Sequence, residues 1–95
     1  APNQETTTMN REVKKADLYE GMLVVTSELL TAQVRTVTHI FKDSNMVEVQ
    51  WYESDKICAQ GIDYSMLMTP TIKQVEHSIS TFGPLVGIND IFCMI

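Results

Sequence analysis

Ninety-five residues, 44% of them hydrophobic, with twelve acidic and seven basic side chains and a net charge of −5, describe one acidic globular domain. The charge balance argues against a phosphate-backbone binder, which needs clustered positive charge, and apart from Lys14-Lys15 the basic residues are scattered. No apolar run is long enough to span a membrane as a helix, and Cys58, Cys93, His39 and His77 lack the paired short spacings of a zinc site. No metal, no cofactor, no nucleic acid and no membrane are therefore expected, and the two cysteines read as reduced residues of an intracellular protein, nuclear or cytoplasmic.

In chain order, residues 1–15 (APNQETTTMNREVKK) are polar and aperiodic and are predicted to be a mobile tail. MLVVT, Met22 to Thr26, reads as a short strand after the turn-forming Glu20-Gly21. SELLT is too short for a helix and is taken as a loop. AQVRTVTHIF, Ala32 to Phe41, reads as a long strand whose apolar set changes phase, which predicts a bulge or sharp bend near Arg35-Thr36. KDSN has the composition of a hairpin turn. MVEVQWYE then alternates: Val47, Val49 and Trp51 share one face, and Glu48, Gln50 and Tyr52 the other. That period makes Trp51 a core residue and leaves Tyr52 outside. SDK forms another turn, ICAQGI a further strand, and DYSML a helical turn before MTPTI.

Thr69 and Pro70 have the chemistry of a helix cap and first helical position for TPTIKQVEHSIS, where Ile72, Val75 and Ile79 form a stripe expected to pack on the core. The segment from Leu85 to Ile95 is apolar and needs cover, either by packing back, by adding a strand, or by pairing with a second copy in a homodimer. Together the elements predict a mainly β fold, a small five-stranded SH3-like barrel over residues 18–71, followed by one helix and an apolar segment over residues 72–95. A five-stranded OB-type barrel is the alternative, disfavoured by the missing positive groove.

Ala32 and Val34, then Val47, Val49 and Trp51, then Gly61, Ile62, Asp63 and Pro70 carry a resemblance over about half of the chain. This pattern resembles the Tudor-like, agenet-type branch of SH3-like barrels, and within it the small N-terminal domain of kinesin-13 microtubule depolymerases. The resemblance implies a non-enzymatic binding or targeting module. No phosphate-binding loop of the GxxxxGKS/T type is present, so no motor ATPase site is expected.

Tudor-type barrels that hold methylated cations use converging ring faces with a carboxylate nearby. Candidate rings are Phe41, Trp51, Tyr52 and Tyr64, and candidate anions are Glu53, Asp55 and Asp63; SELLTA supplies no aromatic residue. The binding residues expected are therefore Tyr52, Glu53, Asp55, Asp63, Tyr64 and Phe41, with the tyrosines giving ring contact and the acids pairing with lysine or arginine. His39, His77 and Cys58 lie in no catalytic motif, so no catalytic residue is expected. The partner expected is a basic, possibly methylated, protein segment. The competing reading is an assembly domain that self-associates through Leu85 to Ile95.

Overall fold

The computed structural model describes residues 9–87. Four strands, β1 (Leu23–Val24), β2 (Arg35–Ile40), β3 (Met46–Glu53) and β4 (Lys56–Asp63), form one antiparallel sheet in the order β1-β2-β3-β4. The predicted β-rich class is present, but the sheet has four strands and is not closed into a barrel. The segment after β4 explains the missing strand. Leu67 N–H bonds to the Tyr64 carbonyl and closes a 3-10 turn, while Pro70 has no N–H to give. Only Met68 is left for ladder pairing, and it makes isolated bridges to Val25 and to Glu12.

Strand register sorts the side chains. Val37 lies opposite Val49, Ile40 opposite Val47, and Val47 opposite Ile62, so these residues share a face. They build the core with Val13, Met22, Val24 and Leu67, against which Leu18 and Trp51 also pack. Burying each valine or leucine side chain contributes about 1.5–3 kcal/mol. Val37 and Ile40 are three residues apart and could not share a face in a regular strand; a register shift between Val37 and His39 allows it. The predicted irregularity therefore exists, two residues further along than expected. The β3–β4 hairpin closes through Ser54 and Asp55, both at positive φ (50° and 69°), between the paired Glu53 and Lys56. Such turns favour Asn-Gly, and left-handed backbone is costly for other residues. Asp55→Gly is expected to stabilise the fold by about 0.5–1 kcal/mol, measured as a raised urea midpoint at unchanged slope.

Helix α1 (Ile72–Phe82) starts later than the Thr69-Pro70 chemistry predicts. Thr69 is already committed to the N-terminal segment: its N–H donates to the Arg11 carbonyl and its Oγ1 accepts from Arg11 N–H. Thr71 caps instead, accepting from Gln74 N–H at 3.1 Å, while Gln74 Oε1 accepts from Thr71 N–H at 3.0 Å. This is a capping box. At the other end Gly83 adopts φ 96° and donates to the Ile79 carbonyl, a backbone that suits glycine.

The face of α1 turned to the sheet is polar, which overturns the expectation that Ile72, Val75 and Ile79 form the packing stripe. Gln74 and Ser78 are the buried residues, whereas Ile72 is 51% and Ile79 47% exposed and Val75 is half-buried. The reason lies in the backbone groups that the helix must satisfy. Ser78 Oγ accepts from Val34 N–H at 3.0 Å, and Gln74 Nε2 donates to the carbonyls of Ser27 (3.0 Å) and Leu29 (2.8 Å) in the loop before β2. Buried loop carbonyls and amides require polar partners, and these two side chains provide them. Buried Thr36 donates its hydroxyl to the carbonyl of Val86, itself 3% exposed.

Residues expected in the N-terminal tail are anchored from Asn10 onward. Asn10 Nδ2 donates to the Thr69 carbonyl (2.8 Å) and to Gln74 Oε1 (2.7 Å), and Val13 is buried in the core. Ordering follows from burying Val13 and from partners that the tail's polarity does not reveal. Among the described residues no helix is long and apolar enough to cross a membrane. The homodimer surface expected over Leu85 to Ile95 lies, from residue 88 on, outside the described residues, as does Cys93.

Candidate binding groove

The six expected binding residues separate into two groups at opposite ends of β3. Tyr52, Glu53 and Asp55 lie at the β3–β4 hairpin, whereas Asp63 lies opposite Met46 and Tyr64 N–H bonds to the Asn45 carbonyl. Seven residue steps of extended strand place the groups about 23 Å apart. Phe41 belongs to the far group, in the β2–β3 hairpin, where it meets His39 edge-on with ring centroids 4.5 Å apart. Phe41, Tyr52 and Tyr64 therefore form no common cage.

At the β3–β4 end, a groove of about 450 Å³ is lined by Gln33, Arg35, Trp51, Tyr52, Glu53, Ser54, Thr81 and Phe82. It lies between the hairpin end of the sheet and the last turn of α1. The strand ladder sets its floor. Thr36 pairs with Gln50, which brings Arg35 across from Trp51, and Trp51 in turn pairs with Cys58. The Arg35 guanidinium carbon stands 4.0 Å from the Trp51 ring centroid. This is cation–π geometry, worth about 0.5–2 kcal/mol depending on hydration. Trp51 is half-buried, packed on the core by one part and presenting its ring to the groove by another, rather than being the enclosed plug that the alternation predicts.

Glu53 supplies the anion. Its Oε2 accepts a long hydrogen bond from Trp51 Nε1 at 3.4 Å and a weak one from Cys58 Sγ at 3.6 Å. Partial burial lowers the Arg35 pKa from its ordinary value, and the Glu53 charge opposes that fall. Arg35 remains cationic at any physiological pH, since a guanidinium is not deprotonated in proteins. Gln33 Nε2 donates to the Tyr52 carbonyl at 3.0 Å, which fixes the strand entering the groove. Burial, reinforced by Glu53, pushes the Cys58 thiol pKa up, which disfavours the thiolate. No group of three or more His, Cys, Asp and Glu among the described residues is arranged to hold a metal.

In the far group, Asp63 serves local structure. Asp63 Oδ1 accepts from Ser65 N–H at 2.9 Å, capping the 3-10 turn, and that bond lowers the carboxyl pKa. A carboxylate whose folded pKa lies below its unfolded value stabilises the fold above the ordinary carboxylate range, and the contribution is lost as pH falls. Asp63→Asn is accordingly expected to flatten the loss of stability below about pH 4, read from urea midpoints across an acid series.

Of the residues singled out from sequence, Tyr52 and Glu53 line this groove, and so does Trp51, read there as core; Gln33, Arg35, Thr81 and Phe82 line it without having been named as site residues. Phe82 continues the spacing of Ile72, Val75 and Ile79 by one more turn, which was a usable signal. Arg35 required the register of β2 on β3, which a bulge assigned two residues too early conceals. No family model matches the chain, and no curated protein and no solved structure matches it.

Proposed function

We propose that this chain is a non-enzymatic binding module, of SH3-like Tudor-type architecture, that recognises a basic protein segment through the groove at Trp51, Tyr52, Glu53 and Phe82. The architectural part is supported by the meander of four antiparallel strands, the 3-10 turn after β4, and the bridge from Met68 back to Val25 beside β1. One observation carries the functional part: the Trp51 face, with Glu53 beside it, already accommodates a guanidinium. A ring face and a carboxylate are what a cationic side chain needs from a shallow site. Asp55 in the adjoining turn and the chain's net charge of −5 add longer-range attraction for a basic partner.

The test is a titration of the isotopically labelled protein with short arginine, lysine and trimethyl-lysine peptides, followed by NMR. Shifts are expected at the Trp51 Nε1–H and the amides of Tyr52, Glu53 and Phe82. Their absence with every peptide, or their confinement to the far hairpin around Phe41, would refute the assignment.

The exposed side chains of Ile72, Ile79 and Phe82 favour a second reading, an assembly domain that self-associates along α1 and the apolar segment that follows it. Light scattering from micromolar to millimolar concentration separates the two, because a monomer throughout contradicts assembly and leaves peptide binding untouched.

A further inference from the structure

Resting on the binding role proposed for the groove, we infer that Arg35 is its internal occupant: a partner's weakly hydrated cation displaces the Arg35 guanidinium from the Trp51 ring. The arrangement has three parts. First, the stack is imposed by register, since Arg35 faces Trp51 across β2 and β3, and it fills the ring face that an incoming cation needs. Second, few hydrogen bonds hold the occupant in place. Among the described residues Arg35 donates one hydrogen bond to a protein acceptor, from Nη1 to Gln60 Oε1 at 3.0 Å, although a guanidinium carries five N–H donors. Gln74, by contrast, has both amide hydrogens and its oxygen engaged. Third, Arg35 is half-buried and so partly stripped of water, and it regains hydration when it swings out.

Two like charges do not share one ring face, so binding requires exchange. The apparent affinity is then reduced by the fraction of molecules in which Arg35 is already out. Exchange also sets selectivity. Arginine and methylated lysine are weakly hydrated and replace a guanidinium on comparable terms, whereas the compact ammonium of unmodified lysine holds its water too strongly to compete. The groove, about 450 Å³ and walled by Tyr52 and Phe82, is large enough for such a side chain.

The experiment uses the full chain and three acetylated peptides that differ at one position: arginine, lysine and trimethyl-lysine. In the free protein the Arg35 side-chain proton signals are expected upfield, because the guanidinium carbon stands 4.0 Å from the Trp51 ring centroid, and to move to solvent-exposed positions as the arginine or trimethyl-lysine peptide saturates. Arg35→Gln is expected to bind those two peptides about tenfold more tightly than wild type, with Arg35→Lys between them. Peptide binding with the Arg35 signals still shielded and no gain in Arg35→Gln would overturn the displacement and leave the groove assignment standing. Lysine peptide binding as tightly as arginine peptide would overturn the selectivity. No binding of any peptide by wild type or variant would overturn the groove function itself, and the displacement with it. The wild-type proton shifts decide the question even if a variant folds poorly.

Discussion

Replacing Gln74 with leucine is expected to remove about 3–4 kcal/mol of folding stability. Gln74 is 1% exposed and ties the start of α1 to the N-terminal segment and to the loop before β2. It donates to the Ser27 and Leu29 carbonyls and accepts from Asn10 Nδ2 and Thr71 N–H. Leucine fills similar space but leaves those groups without partners, each at about 1–3 kcal/mol where water cannot reach, offset in part by the gain in apolar burial. A chain of 95 residues at about 0.05–0.15 kcal/mol per residue has only about 5–14 kcal/mol in all. Gln74→Glu sharpens the test. It is nearly isosteric but turns a carboxylate toward two carbonyls, which raises its folded pKa above the unfolded value of about 4.3. Its instability should therefore be greatest at neutral pH and relieved as pH falls through the raised pKa, because the folded state then binds the extra proton. A urea midpoint gap to wild type that is the same at neutral and mildly acid pH would exclude the donors to Ser27 and Leu29 as the cause.

Trp51→Leu should weaken arginine-peptide binding about 30-fold or more while costing only about 1–2 kcal/mol of stability. The two effects separate because the ring does two things. It packs on the Val47–Val49 side of the core, which leucine retains in part, and it presents a π face at 4.0 Å to a cation, which leucine cannot replace. Binding is measured by calorimetry and stability by urea unfolding. Equal affinity in wild type and Trp51→Leu would remove the ring from the site.

The alternation of VEVQWYE made β3 legible from sequence, and its core valines are where period two puts them. The same rule misjudged Trp51, because a strand face ends: beyond the edge of the core, an inward residue faces a groove. The helix was legible as a helix, but its orientation was not. Amphipathic logic turns Ile72 and Ile79 inward, yet the loop carbonyls of Ser27 and Leu29 and the Val34 amide lie beneath the helix, and they demand Gln74 and Ser78. That demand comes from tertiary placement of backbone groups, which has no trace in local composition. Arg35 shows the same limit across strands. Its partner is fixed by pairing register, and the bulge that sets this register falls between Val37 and His39 rather than at Arg35.

In the proposed binding mode a partner's cation enters the groove and meets the Trp51 ring. Intermolecular nuclear Overhauser contacts from a bound arginine or trimethyl-lysine peptide test it most directly. Contacts are expected from the peptide's cationic side chain to the ring protons of Trp51 and Phe82. Contacts instead to Ile72 and Ile79, or to Phe41 at the far hairpin, with none to Trp51, would contradict it.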